Sequence, residues 1–213
     1  MKILIACEAS QIMCKAFRAK GHEAYSCDLE DSYGGHPEWH IKGDVVPLLN
    51  DSWDMMIAHP PCTHLAVSGA RHFEKKRADG RQQQGIDLFM EFTKTTIPKV
   101  CIENPMGIMS TIYRKPDQII HPYYFGDEAQ KTTCLWLNGL PKLFHAKEKD
   151  LFNDTITHVS KGDFYEFTTK DGIKKKQPMW FAKAFLKKDN SDRALARSFR
   201  YEGVAKAMAD QWG

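Results

Sequence analysis

Short, unbroken apolar runs punctuate the chain, with polar and turn-forming segments between them. Residues 3–7 (ILIAC) are the first such run, a pattern that predicts a strand buried on both faces. Ser10 then stands as N-cap of a predicted helix reaching Lys20, with Ile12, Ala16 and Phe17 along one side and Gly21 ending it. Residues 23–27 predict a second strand, which delivers Asp28 at its end. A segment rich in Asp, Gly, His and Pro follows at 31–41 and leads to Gly43-Asp44. Residues 53–58 (WDMMIA) repeat the buried-strand pattern and break at His59-Pro60-Pro61-Cys62. The polar stretch 71–84 reads as a connection into a helix carrying Ile86, Phe89, Met90 and Thr93. After Pro98, residues 99–102 predict a strand ending in Glu103-Asn104-Pro105, and residues 133–137 predict one more.

Strands alternating with helical segments argue for βαβ units and a parallel sheet. In such sheets ligands bind beyond the carboxyl ends of the strands. Asp28, Asp44, Cys62 and Glu103 all fall at or just past predicted strand ends, the expected rim of a single site. Past residue 130 the texture changes. Residues 163–176 predict a hairpin turning at Asp171-Gly172, with Lys161, Lys170, Lys174, Lys175 and Lys176 among Phe164, Tyr165 and Phe167. Lysines interleaved with aromatics suit a nucleic-acid backbone with exposed bases, and suit a solvated hairpin equally well. A helix at 203–212 closes the chain.

At 213 residues and 42% hydrophobic, the chain has the material for a packed domain, which excludes disorder and a coiled coil. No apolar run approaches the roughly 20 residues of a membrane span, and the opening basic-apolar stretch meets Glu8 too soon for a signal peptide. A soluble, cytoplasmic protein is expected. The net charge of +3 names no partner, but it is unevenly placed. Residues 1–130 hold 14 basic and 17 acidic side chains, and residues 131–213 hold 16 and 10. The six cysteines show no CxxC pair and read as reduced thiols.

Cys62 stands apart from the other five. His36-Pro-Glu38 with Pro61-Cys62 invites comparison with the zinc nucleobase deaminases, whose signature needs H-x-E and P-C-x-x-C. Position 65 is Leu, so the second thiolate is missing and no metal is assigned. Two prolines at a strand end suit a different chemistry. They hold the next side chain in a rigid, partly exposed position, as an attacking thiolate requires. Glu103, past the next strand at the same sheet edge, is placed to supply a proton. A thiolate with a carboxylic acid fits covalent attack on an electron-poor ring.

These residues carry a resemblance. Gly43-Asp44-Val45, residues 54–62 (DMMIAHPPC), Ser68-Gly69 and Ile102-Glu103-Asn104-Pro105 resemble, in order and separation, the core motifs of the cytosine-C5 DNA methyltransferases. Gln130-Lys131-Thr132 is similar to that family's Q-x-R-x-R segment, and residues 201–209 to its closing helix. The match covers most of the chain in shortened form and is closest to small, phage-type members.

The resemblance implies a Rossmann-like α/β fold of the class I S-adenosylmethionine-dependent methyltransferases with a small β-hairpin insert. The catalytic core would be 1–138 plus 193–213, and a basic insert at 139–192 would replace the target-recognition domain. Cys62 would add to C6 of a cytosine flipped out of DNA, with Glu103 at the N3 edge, Asn104 holding the loop and Lys131 near the base. S-adenosylmethionine would lie against Ala6, Cys7, Glu8, Asp28, Leu29, Asp44, Val45 and Pro60. Ser68, Arg71, Gln130, Lys174, Lys175 and Lys176 would face the nucleic acid. Two departures stand out. The family's glycine-rich first motif is replaced by residues 5–11 (IACEASQ), and Thr132 stands where the family has Arg. With so small an insert, reading of sequence falls to the basic hairpin, a second copy of the chain or a partner protein. Two further readings stay open: a nucleotide, RNA or other C5 acceptor for the same chemistry, and a catalytically silent DNA-binding module.

Overall fold

A computed structural model describes residues 1–149, 156–169, 171–179, 181–182 and 201–213. The apolar runs pair into a seven-stranded sheet. Its strands are β1 (Lys2–Ala6), β2 (Glu23–Asp28), β3 (His40–Lys42), β4 (Met55–Ala58), β5 (Lys99–Pro105), β6 (Gln118–Ile120) and β7 (Thr133–Asn138), in spatial order β3-β2-β1-β4-β5-β7-β6. Strands β1 to β5 are parallel. β7 runs antiparallel to both β5 and β6, so the sheet is mixed where the sequence pattern suggests a parallel one. Antiparallel neighbours need no crossover helix, and the connection from β6 to β7 contains only a short 3-10 turn at Pro122–Phe125. The architecture is the expected Rossmann-like α/β arrangement.

β1 and β4 are buried along almost their whole length, which is why both read as unbroken apolar runs. Alternate residues serve opposite faces. Leu4, Ala6, Met56, Ala58, Val100, Ile102 and Trp136 share one core cluster with Phe89 and Phe92. Those two rings come from α3 (Arg81–Lys94). Ile3, Ile5, Met55, Ile57 and Cys101 fill the other face and are fully buried too. Helix α1 (Ile12–Arg18) buries Met13, Cys14 and Phe17. Both sheet edges, β3 and β6, are three residues long, which leaves little open backbone for unwanted pairing.

The segment expected as a polar connection is helical. A 3-10 turn at Val67–His72 runs into α2 (Phe73–Ala78), and α3 follows directly after Gly80. Short α4 (Met109–Ile112) follows β5, and α5 (Glu202–Trp212) closes the chain with Ala205, Met208, Ala209 and Trp212 buried. No described helix is long and apolar enough to cross a membrane.

The chain divides into two compact units. The first comprises Met1–Ile120, Thr132–Phe144 and Ala205–Gly213 and holds the sheet. The second comprises His121–Lys131 and His145–Val204. Within it β8 (Phe164–Thr168) and β9 (Lys174–Pro178) form the expected hairpin, with Gly172 at φ 77 in the turn. The domain boundaries read from sequence fall partly on residues 183–200, which lie outside the described residues, as does Lys170 of the hairpin.

Candidate functional site

Parallel pairing of β1 through β5 sends their carboxyl ends to one rim, and the chemistry-bearing residues of the first unit collect there. Ala58 pairs with Ile102, so the next residues along, His59 and Glu103, stand side by side. His59 Nδ1 lies 2.9 Å from Glu103 Oε2, and the two side chains are only 2% and 12% exposed. Its sequence context suggests a loop or surface histidine. It is buried instead, because its backbone N–H continues the β1–β4 ladder to the Ala6 carbonyl. One residue further, buried Asn104 donates from Nδ2 to the Pro60 carbonyl at 2.7 Å.

Past the prolines, Cys62 opens a tight turn whose carbonyl accepts from the Leu65 and Ala66 N–H groups at 3.0 and 2.9 Å. The thiol is half-buried, and the cysteines form no disulfide. The turn is laced to the loop after β5: Ala66 bridges Gly107, Val67 N–H donates to the Met106 carbonyl, and Ile108 N–H donates to the Leu65 carbonyl. A Cβ at Gly107 would collide with that carbonyl, so glycine is needed for the approach. The Cys62 loop and the end of β5 that carries Glu103 and Asn104 are therefore tied together through the backbone. The Glu103 charge is felt by its neighbours: burial, then Glu103, pushes the Cys134 thiol up to about 11 and the Cys101 thiol well up.

Along the same rim, Asp28 ends β2 and Asp44 lies just past β3. Both carboxylates act on one spot, since burial and then Asp28 and Asp44 push the Cys27 thiol to about 11. Each uses one oxygen in a local turn, Asp28 to Glu30 N–H at 3.1 Å and Asp44 to Val46 N–H at 3.0 Å. Their second oxygens make no hydrogen bond among the described residues. Such a pair suits hydroxyl or amino donors of a nucleoside group. Leu29 beside them is 73% exposed, an apolar surface on which a ring can rest.

Of the other residues assigned to a cofactor, Ala6, Pro60 and Val45 are buried, and Ala6 and Val45 belong to the core cluster. Glu8 is buried as well, and its carboxylate accepts from Met13 N–H at 2.8 Å, Cys14 N–H at 3.2 Å and the Ser10 hydroxyl at 3.1 Å. Glu8 thus anchors the start of α1, the role expected of Ser10; the residue before the helix is Gln11. No glycine is present in this loop, yet Cys7 (φ 59) and Gln11 (φ 58) take the left-handed backbone that glycine would supply. The Gln11 amide holds the fold-back by bonding the His36 carbonyl and N–H at 2.7 and 3.1 Å.

Ser68 and Arg71 lie exposed on the 3-10 turn after the Cys62 loop. Here the structure shows what the charge tally by halves conceals: Arg71, Lys75, Arg77 and Arg81 are exposed on the segment next to Cys62. Buried Lys76, between them, donates to the Thr63 carbonyl. Lysine in a polar run gives no sequence signal of burial, so Lys76 is not legible there. His59 is readable in principle, because strand pairing alone sets it against Glu103. Gln130 and Lys131 belong to the second unit, where the Lys131 ammonium lies 5.8 Å from the Tyr201 ring. Lys174, Lys175 and Lys176 are exposed on β9, and Tyr165 and Phe167 stack across the hairpin face at 6.1 Å. A cavity of about 360 Å³ under α3, lined by Phe92, Val100, Tyr113, Arg114 and Trp136, holds none of the rim residues. Among the described residues no three His, Cys, Asp or Glu side chains are grouped to hold a metal ion.

No family model matches the chain, and no curated protein does. Among solved structures, the chain is similar to a prophage-encoded protein from E. coli described as a DNA modification methyltransferase. The match has 17% identity and a TM-score of 0.46, and covers 74% of this chain and 52% of that one, so the chain spans about half its length.

Proposed function

We propose that the chain transfers a methyl group from S-adenosylmethionine to C5 of cytosine in DNA, with Cys62 as the covalent nucleophile. The observation that carries this reading is the joined Cys62 loop and β5 end, which hold a half-buried thiol, a histidine-paired carboxyl and a buried loop-locking asparagine at one rim. Cytosine C5 is a poor nucleophile until a thiolate adds to C6. Cys62 is mounted for that addition. Glu103 would meet the N3 edge, where a shared proton drains charge from the ring as the S–C6 bond forms. His59 fixes which Glu103 oxygen faces inward, and Asn104 keeps Pro60 and Cys62 in register with Glu103 through the Pro60 carbonyl. Once C5 carries the methyl group, loss of its proton to water would expel the Cys62 thiolate and restore the aromatic ring.

The Asp28 and Asp44 carboxylates, with exposed Leu29, fit the nucleoside half of S-adenosylmethionine: two acceptors and an apolar shelf. Bound there, the cofactor supplies an electrophilic methyl group. A polymer is favoured over a single nucleotide by the exposed Arg71 on the turn beside the Cys62 loop and Lys75 and Arg77 on α2, cations that suit successive phosphates. The decisive experiment is expression in a host without cytosine methylation, followed by digestion of its DNA to nucleosides. 5-Methylcytosine is expected from the native chain and none from Cys62→Ala. DNA carrying 5-fluorocytosine should trap the native chain as a covalent adduct; trapping on a nucleotide but not on DNA would instead favour the single-nucleotide acceptor.

A further inference from the structure

We propose that Lys76 and Gln82 are positioning residues for Cys62, and that the buried Lys76 ammonium also supplies the positive field that favours its thiolate. The inference rests on Cys62 being the nucleophile, and goes beyond it in naming what mounts and charges that sulfur.

Four consecutive carbonyls, starting at the sulfur-bearing residue, each have a different partner. The Cys62 carbonyl is taken by its own turn, and the Leu65 carbonyl by Ile108 N–H at 3.0 Å. Between them, the Thr63 carbonyl accepts from Lys76 Nζ at 2.5 Å and the His64 carbonyl from Gln82 Nε2 at 3.2 Å. These two donors are side chains from α2 and α3, and they are only 8% and 5% exposed. The space is kept clear by glycines. A Cβ on Gly69 would lie 3.2 Å from Lys76 Nζ, and one on Gly85 of α3 would lie 3.3 Å from the Leu65 side chain.

A backbone carbonyl can be held by any donor, so the choice of lysine needs its own reason. Lysines are almost never buried unless paired with an anion. Among the described residues Lys76 makes no ion pair, and its only charge-related contact besides Thr63 is the Phe73 ring, 6.0 Å away. Its field reaches the loop nonetheless: burial, then Lys76 and Arg81, lowers the affinity of His64 for a proton. The buried cation is fixed on the carbonyl of the residue that follows Cys62, and Asp79, which acts on His64 in the opposite sense, is ion-paired to Arg81. A thiolate beside a cation is stabilised and reacts faster at neutral pH.

The test follows alkylation of Cys62 by iodoacetamide in the full chain, read at the Cys62 peptide by mass spectrometry across pH 6–10. The thiolate displaces iodide and forms an S–C bond, so the rate tracks thiolate fraction and access. Lys76→Met and Lys76→Gln should raise the midpoint of the pH–rate curve by about one unit, which slows the reaction about tenfold at pH 7. Lys76→Arg, which keeps the charge, should hold the native midpoint. Gln82→Ala should lower the rate without moving the midpoint. A folded neutral variant with the native midpoint overturns the electrostatic role, and native rates in both Lys76→Met and Gln82→Ala overturn the positioning role. Should Lys76→Met fail to fold, Lys76→Gln retains a donor for Thr63 and reports the same midpoint. Because the readout is thiol chemistry, an absence of 5-methylcytosine with a shifted midpoint would remove the methylation reading and leave this one standing.

Discussion

Glu8 shows how one side chain replaces a motif. The loop after β1 lacks the glycines that the resemblance calls for, and two non-glycine residues take left-handed backbone at a cost of order 1–3 kcal/mol each. What holds them there is the buried carboxylate of Glu8, which draws in two N–H groups at the head of α1 and the Ser10 hydroxyl. Glu8→Gln is isosteric but turns an NH₂ toward one of those donors. Urea unfolding should show a loss of about 1–3 kcal/mol, the cost of a buried donor left without its acceptor. An unchanged midpoint would show that the left-handed residues need no anchor. Asn104 is the matching case on the other side of the rim. Asn104→Ala orphans the buried Pro60 carbonyl, should cost a similar amount, and should slow Cys62 alkylation as its loop loosens.

The loops after β4 and β5 act together because the strands beneath them are in register and because Gly107 lets their backbones touch. Gly107→Ala is expected to force them apart, lowering stability by about 1–3 kcal/mol and weakening Cys62 reactivity while β4 and β5 persist. Native stability and reactivity in that variant would mean the two loops are not coupled. Most elements are legible in the sequence. Apolar runs announce β1, β4, β5 and β7, and Gly172 marks the hairpin. The three-residue strands β3 and β6 are not, since so few residues show no period, and they exist only because a longer neighbour offers a ladder. α2 is hidden because its face toward the Cys62 loop is built from a lysine instead of apolar residues. At the site, Cys62, Glu103, Asp28 and Asp44 are readable as strand-end residues. The burial of Lys76 is not, because nothing in its polar run marks the contact with the Thr63 carbonyl.

Across the whole molecule, histidine burial sets the response to acid. His22, His64, His121, His145 and His158 are all held below the ordinary value of 6.5, in each case first by burial. A lowered folded value means that the unfolded chain takes up these protons first. As pH falls through 6.5, each such histidine therefore subtracts stability, and the loss continues until its folded value is reached. Three of the five belong to the second unit, where the Tyr124 ring stacks on both His145 and His158 at 4.3 and 4.6 Å. Those two imidazoles share a hydrogen bond of 2.9 Å between Nδ1 and Nε2, which requires one ring to remain an acceptor and hence neutral. Charging both rings breaks the bond and places two cations side by side. The second unit should therefore loosen before the sheet does. Hydrogen exchange at the Thr157 and His158 amides, both bonded to the Ala146 carbonyl, should speed up as pH falls through the ordinary histidine value of 6.5 and below it, after correction for intrinsic rates, while the Leu4 and Met56 amides of the sheet stay protected. His145→Gln keeps a neutral partner for His158 and should remove most of that acceleration. Equal loss of protection in the sheet and in the second unit would show that this histidine pair does not set which part of the molecule yields first to acid.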